Sequence, residues 1–393
     1  MARNSRAKRW LFGLMVLGLA SIIALARPAP AQADTGTPPW LAPTAVATGL
    51  SDADWPSLAF TRDGVEHAVW QTDGHIYYAA QWPGQAWNLP RKIASGTAPA
   101  LVVDDRGQLH ALYVNQFMGN YEIYHIRLVN GEWSLPVNVS HTSGFSAFPV
   151  ATAGSGGALY VAWMDNSPGY WTIYVGQWNG AYWSNQPIAN ARGQGPTLGF
   201  SPDGALYLAW QDRVPTVDNP TGTYHIFFSE RRAGSWSLPI DVSARPLVES
   251  IGVNLITTAD GLAHLTWVDD GKEVRYGFGM GSYWPDPVTV TRAAVLASGP
   301  RILAGRNEQL HIAWDEGDIV RATSATPATS NWPKPSVITA PLGTLGNVVM
   351  ALGPGNEIAL GWIQTLEPLD VDIYESYQAP DPQRHTWLPL IMR

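Results

Sequence analysis

The stretch Gly107–Ser140, GQLHALYVNQFMGNYEIYHIRLVNGEWSLPVNVS, contains one copy of the pattern that decides the fold. Near its end Trp133 is followed three residues later by Pro136, and a Trp followed by Pro at three or four residues recurs along the chain. The seven copies begin at Trp40, Trp87, Trp133, Trp183, Trp236, Trp284 and Trp332, with gaps of 46 to 53 residues. A period of this length, built from short β-type runs, is typical of a β-propeller with one blade per repeat.

Each repeat has the internal order of a four-stranded blade. A short apolar strand, often beginning after Pro, leads into an Asp- and Gly-rich turn that suits a tight hairpin. The second strand ends on an aromatic residue in every repeat: Trp70, Tyr113, Trp163, Trp210, Trp267, Trp314 and Trp362. A third strand rich in Ile and Tyr, a second turn and the Trp–Pro segment complete the unit. The sequence therefore predicts an all-β, seven-bladed β-propeller.

The phase of the repeat predicts how the ring closes. The first Trp–Pro pair, Trp40 to Pro43, precedes any complete repeat, whereas the last repeat, about 348–377, has none of its own. We expect residues 40–47 to form the outer strand of the seventh blade, because this pairing removes two open sheet edges. The propeller would then span residues 40–377, after a linker over 34–39.

The N-terminal segment has the features of a secretory signal peptide. A basic start precedes the 16-residue apolar run Leu11–Ala26, and Ala31-Gln-Ala33 is a small-x-small cleavage site. An uncleaved anchor is the alternative, although the run is short for a membrane span. We expect cleavage after Ala33 and a secreted or cell-surface protein.

The tail over 378–393 ends in Trp-Leu-Pro-Leu-Ile-Met-Arg393 and resembles endings of secreted proteins in some bacterial lineages. Two interpretations stay open for this tail: a sorting or surface-retention segment, and an arm docked on the propeller.

Charge and composition restrict the partners. Residues 1–33 hold five of the 24 basic residues and none of the 32 acidic ones, so the net charge changes from −8 to −13 without them. Such a surface disfavours nucleic acid, and also anionic polysaccharide unless a local patch reverses the sign. No Cys is present, so stability must come from ring closure and packing in what we expect to be a monomer.

The repeats resemble the sialidase-like, BNR-repeat superfamily of propellers. The resemblance lies in the line Asp-Gly-x-Leu-His-hydrophobic-Ala-Trp, then Ile-Tyr-Tyr, then Gly-x-Trp-Ser-x-Pro, which is clearest over Gly107–Ser140 and Asp203–Ser243. It implies the propeller fold and no particular activity. The Asp-box of that superfamily is not kept, since Asp63 and Gly64 are adjacent here, and sialidases have six blades rather than seven.

Polar residues follow the strand-two aromatics and would surround one mouth of the central channel. They are Asp73, Asn115, Asp165, Asp212, Asp269, Asp315 and Gln364. Their oxygens suit Ca²⁺ or sugar hydroxyls, with Asp165, Asp212, Asp269 and Asp315 as weak metal candidates, although no cofactor is required. The alternative is that these side chains cap strand ends.

The candidate binding site lies on the two-to-three loops of blades three and four, because long loops on a rigid scaffold often carry function. Aromatic faces for stacking and charged groups for hydroxyls predict a carbohydrate platform. Its members are Tyr170, Trp171, Asp165, Asp212, Arg213 and Asp218. The recurring His67, His110, His264 and His311 fall a blade apart, too far for one metal ion, and we expect them to pack between blades.

The sequence favours a binding module for a carbohydrate or other surface polymer. The rival is a glycoside hydrolase or polysaccharide lyase, which needs suitably placed catalytic groups such as a carboxylate pair, and no motif identifies one. Candidate arginines for a sialidase-type site (Arg213, Arg231, Arg245, Arg275, Arg301 and Arg321) are not grouped by any motif. The third hypothesis is a protein-interaction platform of the cell envelope, and an exposed apolar patch would favour this hypothesis.

Overall fold

The computed structural model describes residues 40–117, 119–243, 245–338, 343–367 and 370–378. Its strands form seven antiparallel sheets arranged as a seven-bladed propeller, which confirms the predicted fold. The predicted signal peptide (1–33), the linker (34–39) and the tail beyond Gln378 lie outside the described residues. No helix long and apolar enough to cross a membrane occurs in the described part of the chain.

The innermost strand of each blade is the first of its repeat, and each contacts the innermost strands of both neighbouring blades, which closes the ring around a central channel. These strands are β2 (Asp54–Phe60), β6 (Thr97–Val103), β11 (Ser146–Ala153), β15 (Gln194–Phe200), β20 (Ser250–Thr257), β24 (Ala297–Ala304) and β28 (Thr344–Leu352). The second strands are β3 (Glu66–Thr72), β7 (Leu109–Phe117), β12 (Leu159–Asp165), β16 (Leu206–Val214), β21 (Ala263–Asp269), β25 (Leu310–Glu316) and β29 (Ile358–Glu367).

The third and outer strands complete the blades. The third strands are β4 (His75–Gln81), β8 (Asn120–Val129), β13 (Thr172–Trp178), β17 (Thr223–Arg232), β22 (Glu273–Gly279), β26 (Ile319–Ala325) and β30 (Asp370–Tyr377). The outer strands are β1 (Thr44–Leu50), β5 (Arg91–Ser95), β9 (Glu132–Trp133) with β10 (Val137–Asn138), β14 (Trp183–Arg192), β18 (Ser235–Trp236) with β19 (Ile240–Asp241), β23 (Val288–Arg292) and β27 (Ser336–Ile338). A short 3₁₀ turn covers Ser155–Gly157, between β11 and β12.

The strand-two aromatics form the core, as the repeat predicts. All seven are at most 1% exposed. In five blades this ring stacks on an aromatic of the third strand, as in the pair Trp163 and Tyr174, whose ring centroids are 5.6 Å apart. Large flat rings fill the space between sheets that Ala or Val would leave empty, so they fix the spacing of the blades.

The ring closes through the N-terminal strand. β1 pairs antiparallel with β30, with Thr44 opposite Glu375 and Leu50 opposite Val371. The predicted strand over residues 40–47 is therefore the observed outer strand of blade seven, displaced to Thr44–Leu50, while Trp40 makes an isolated bridge to Gln378. The closure joins residues more than 300 positions apart, so the seam between blades seven and one depends on this pairing.

Two buried carboxyl groups meet at this seam. Glu66 of β3 and Glu375 of β30 are 1% and 0% exposed. Trp87 Nε1 donates to Glu375 Oε1 over 2.7 Å, and the Tyr377 hydroxyl donates to Glu66. Burial raises the pKa of both carboxyls, the charge of Glu375 raises the pKa of Glu66 further, and no basic side chain contributes to either.

One irregularity recurs in all seven innermost strands. Each has a bulge near its start, and the residue there has a positive φ. These residues are Trp55, Ala98, Phe148, Gly195, Gly252, Gly299 and Asn347. Glycine adopts this conformation freely, whereas a bulky residue is strained in it. Blades one and three nevertheless have the large rings of Trp55 and Phe148 at this position, whereas blades four to six have glycine.

Candidate functional site

The propeller presents two faces. One carries the loops from second to third strands and from fourth strands to the next blade, and we call it the two-three face. The opposite face carries the turns from first to second and from third to fourth strands, and we call it the one-two face. The candidate residues predicted from the sequence belong to the two-three face.

The two-three face carries a patch of partly exposed aromatic side chains, which we call the aromatic patch. Its members are Trp55, Tyr121, Phe145, Phe148 and Tyr170. Apart from the half-buried Phe148, they are 36–46% exposed. Sugar rings stack on aromatic rings that are open to solvent. Such stacking buries apolar area, and the aromatic side chain loses little conformational entropy.

Trp55 and Phe148 pack against each other although they belong to blades one and three. Their ring centroids are 5.1 Å apart, and both residues have a φ of 53°. The equivalent residue of the intervening blade two is Ala98, which leaves the space for the two rings to meet. Strained backbone of this kind persists where the surroundings enforce it and is often found at functional sites.

The rest of the patch is joined through the loop between blades two and three. Tyr121 and Phe145 meet edge to face with centroids 5.6 Å apart. The backbone N–H of Phe145 donates to Asn166 Oδ1 over 2.7 Å, which holds this loop against the loop that carries Tyr170. The Arg192 guanidinium lies 4.2 Å from the centre of the Tyr170 ring. Tyr170 is thus a cation–π partner and remains partly exposed to solvent.

The other predicted site residues have varied surroundings. Trp171 is half-buried against the core between blades three and four. Asp212 and Arg213 lie on β16, which with β17 extends into the predicted loop, so the long loop is shorter than expected. Burial raises the pKa of Asp212, and Arg213 lies over the ring of Tyr224 at 4.2 Å. Asp218 is exposed at the tip of the hairpin.

The side chain of Asp165 is not exposed, as a carboxylate that binds a ligand would be. It is fully buried and accepts hydrogen bonds from Thr142 Oγ1 and Ser146 Oγ, each over 2.8 Å, and from the indole of Trp163. The same link to the start of the first strand recurs in Asp269 with Ser250, at 2.6 Å, and in Asp315 with Ser298. In blades three, five and six these contacts fasten the first strand to the second.

The polar ring predicted at the channel mouth is therefore largely engaged inside the blades. Asp165, Asp269, Asp315 and Gln364 are buried, while Asp73 is exposed. Within the residues that the structure describes, no three His, Asp or Glu side chains are grouped in a way that could hold a metal ion. Asp165, Asp269 and Asp315 hold strand ends together, as in the second of the two interpretations given above.

The recurring histidines are buried between blades. His67 Nδ1 lies 2.8 Å from the Tyr78 hydroxyl, and His264 makes the same contact with Tyr276. Desolvation lowers the pKa of His67, His110, His264 and His311 to about 4. They are neutral near pH 7 and serve as hydrogen-bonding core residues.

The concave surfaces lie on the other face. Three hollows follow the seams between blades seven and one, one and two, and two and three, with volumes of about 700, 620 and 290 Å³. The first and second hollows share the lining residues Arg62, Asp63 and Trp82. The second and third hollows share Arg106. Together the three hollows form what we call the seam groove. No sequence pattern predicted this groove, because it is lined by turns that belong to neighbouring blades.

No protein-family model and no curated protein matches this sequence. Among solved structures, an ulvan lyase, described as a polysaccharide lyase bound to -[GlcA(1-4)Rha3S]-, is 13% identical with a TM-score of 0.59 over 85% of this chain and 95% of its own. A fungal alcohol oxidase in complex with copper is 10% identical, with a TM-score of 0.58 over 88% and 77%. A protein of unknown function from Dyadobacter fermentans is 11% identical, with a TM-score of 0.55 over 87% and 99%. These similarities show the propeller fold alone, in agreement with the resemblance found in the sequence.

Proposed function

We propose that this protein is a carbohydrate-binding propeller and that the aromatic patch of the two-three face is its binding site. The observation that carries the proposal is the pairing of Trp55 with Phe148 beside Tyr121 and Phe145, which places partly exposed rings from three blades on one face. Arg192, which lies over the Tyr170 ring, supplies N–H donors at the edge of the patch, as sugar hydroxyls and ring oxygens require.

The similarity to a polysaccharide lyase supports a carbohydrate as ligand only as an analogy of fold, because one propeller scaffold hosts many functions. The aromatic patch supports it on chemical grounds. Of the residues predicted from the sequence, Tyr170 is a member of this patch and Trp171 follows it in the chain.

A glycan array probed with the purified protein tests the proposal, and titration calorimetry with the best glycan gives its affinity. We expect Trp55→Ala and Tyr121→Ala each to lower that affinity by about tenfold or more, about 1.4 kcal/mol. Tyr283→Ala is the matched control, because Tyr283 is an exposed aromatic residue on the opposite face and lines none of the three hollows there. Retained affinity in both patch variants would refute this site, and no binding across the array would favour a protein partner.

A glycoside hydrolase or polysaccharide lyase is the second candidate, and one observation favours it. Asp54 lies directly before Trp55, and burial, with a further contribution from the charge of Asp52, raises the pKa of Asp54. A carboxyl group with a raised pKa beside an exposed indole has the properties of a general acid. Release of reducing or unsaturated ends from the bound glycan, abolished by Asp54→Asn, would assign catalysis. An intact glycan after long incubation would assign binding alone.

We also propose that the protein acts outside the cytoplasm, as secreted or cell-surface protein. The proposal rests on the basic start, the apolar run and the cleavage site that ends at Ala33. N-terminal sequencing of the protein from its natural host should begin at Asp34. A chain that begins at residues 1 or 2 would contradict cleavage.

A further inference from the structure

The seam groove on the one-two face contains arginines in a protein that is otherwise acidic. Four arginines line the hollows at the seams between blades one and two and between blades two and three: Arg62, Arg91, Arg106 and Arg127. The only carboxylates in the same linings are Asp63 and Asp104. Because the chain carries a net charge of −8, this excess of cations marks a local reversal of sign.

Three of these arginines bridge adjacent blades in the same way. Arg62 Nη2 donates to the backbone carbonyl of Asp105, Arg91 Nη2 to that of Gly131 and Arg106 Nη2 to that of Gly156. A carbonyl orients a guanidinium without cancelling its charge, and the other N–H groups stay available. The groove therefore holds its cations in place and leaves them charged.

Carboxylates neutralise five other arginines of the described chain, although not all of them. Arg232, Arg245, Arg275, Arg292 and Arg321 each pair with Asp or Glu. In the groove, Arg62, Arg106 and Arg127 have no such partner among the described residues, and Arg91 has one, Glu132, at 3.8 Å. Hollows that hold more guanidinium groups than carboxylates are a surface that a bound anion would complete.

The carboxylates of the groove are engaged by other groups. Asp104 Oδ1 accepts the backbone N–H groups of Arg106 and Gln108, over 2.9 and 2.7 Å. A hydrogen bond from Thr61 is the main cause that lowers the pKa of Asp63. The neighbouring Asp105 uses its carboxylate to accept the N–H groups of Gly156 and Gly157. These carboxylates stabilise turns and do not cover the guanidinium groups.

We propose that the seam groove, at the two hollows that hold these arginines, is a second binding site, on the face opposite the aromatic patch, for an acidic polysaccharide whose carboxylate or sulfate groups bind Arg62 and Arg106. The two hollows that hold the arginines are connected and span two blade seams, so they fit an extended polymer better than a single small anion; the hollow between blades seven and one adds Glu66 and Glu357 and is not part of the proposed site. Trp82, 45% exposed between two hollows, offers a stacking surface for a sugar ring. Guanidinium forks bind carboxylate and sulfate through paired hydrogen bonds.

The experiment compares polygalacturonate, dextran sulfate, neutral dextran and duplex DNA by titration calorimetry with the whole protein. The Arg62→Gln/Arg106→Gln double variant should bind the acidic polymer at least about tenfold more weakly. The control Arg231→Gln/Arg306→Gln removes the same charge from blades four and six, outside these hollows, and should leave this affinity unchanged. Polygalacturonate and dextran sulfate distinguish carboxylate from sulfate as the preferred group.

Several outcomes would overturn the inference. Equal losses in both double variants would show attraction by overall charge alone, and no loss in either would place the polymer elsewhere. Neutral dextran binding as tightly as the acidic polymers would remove the role of the arginines, and tighter binding of duplex DNA would replace polysaccharide by nucleic acid. Trp55→Ala separates this inference from the proposed function, because it affects the aromatic patch alone.

Discussion

Glu66 of blade one and Glu375 of blade seven meet across the seam where the ring closes, and both carboxyl groups are buried. Glu375 Oε1 accepts Trp87 Nε1 and Thr44 Oγ1, while Glu66 Oε2 accepts the Tyr377 hydroxyl. The remaining oxygens, Glu66 Oε1 and Glu375 Oε2, have no donor of their own. One proton held between these two oxygens satisfies all four oxygens of the pair.

Alkaline pH should therefore weaken the ring. The folded protein keeps a proton on the pair that the unfolded chain releases near the ordinary Glu pKa of about 4.3, so the folded state binds more protons above that pH. The stabilisation is complete below that pH and is lost as pH rises through the raised pKa values of the pair. We expect the melting temperature to fall between about pH 5 and about pH 9.

Glu375→Gln tests this link, because an amide reproduces a protonated carboxyl that donates to Glu66. The variant should lose most of the alkaline decline and equal or exceed the parent in melting temperature at about pH 9. Glu357→Gln, on the turn of the same blade, is the control and should keep the decline. Identical pH profiles for the parent and Glu375→Gln would contradict a shared proton.

Asp165 should matter for stability more than for any ligand. Asp165→Ala removes the acceptor of Thr142, Ser146 and Trp163 in a fully buried place, and we expect a loss of about 2–4 kcal/mol in the free energy of unfolding. Asp218→Ala, at an exposed position of the neighbouring blade, should change it by no more than about 0.5 kcal/mol. Urea unfolding followed by tryptophan fluorescence measures both. A loss of similar size in the two variants would contradict the fastening role.

The closing strand should act as a separable element. Deletion of residues 40–50 removes β1 and exposes the edge of β30, so the truncated protein should aggregate or unfold at a lower temperature. A synthetic peptide of residues 40–50 added in excess should restore the melting temperature by mass action. A truncated protein as stable as the full chain, or one indifferent to the peptide, would show that β1 does not hold the ring.

Trp55 should separate stability from binding. Glycine relieves the strain of a φ of 53° and alanine does not, so Trp55→Gly should be more stable than Trp55→Ala by about 1 kcal/mol. Both variants lack the indole and should lose glycan affinity equally. Thermal unfolding and calorimetry on the same samples give the two quantities. If the glycine variant bound better than the alanine variant, backbone strain rather than the ring would determine affinity.

The architecture was predictable because it repeats. The Trp–Pro period gives the number of blades, the strand-two aromatics such as Trp163 give the core, and the unpaired segment at Trp40 gives the closure. Each of these follows from residues that serve the same purpose in every blade, so a single sequence reveals them by internal comparison.

The site was predictable only in part. The sequence pointed to Tyr170 because that residue lies on a candidate loop. It did not point to Trp55 and Phe148, which precede Pro56 and Pro149. Most other blades have Ala or Gly at the position of these two aromatic residues. Comparing that position across the repeats would have revealed them. That Asp165 is buried could not be read from its spacing, because burial depends on Ser146 in the adjacent strand. The seam groove likewise depends on turns from neighbouring blades, and no single repeat encodes it.

The most direct test of the central claim is a footprint of the bound glycan by hydrogen–deuterium exchange. The best glycan from the array is added to the purified protein at saturation. We predict slower exchange in segments 51–57, 119–123, 141–148 and 166–171, which carry the aromatic patch and its loops. Protection limited to the one-two face, at turns 61–64, 82–85 and 104–107, would place that ligand in the seam groove and contradict the aromatic patch as its site.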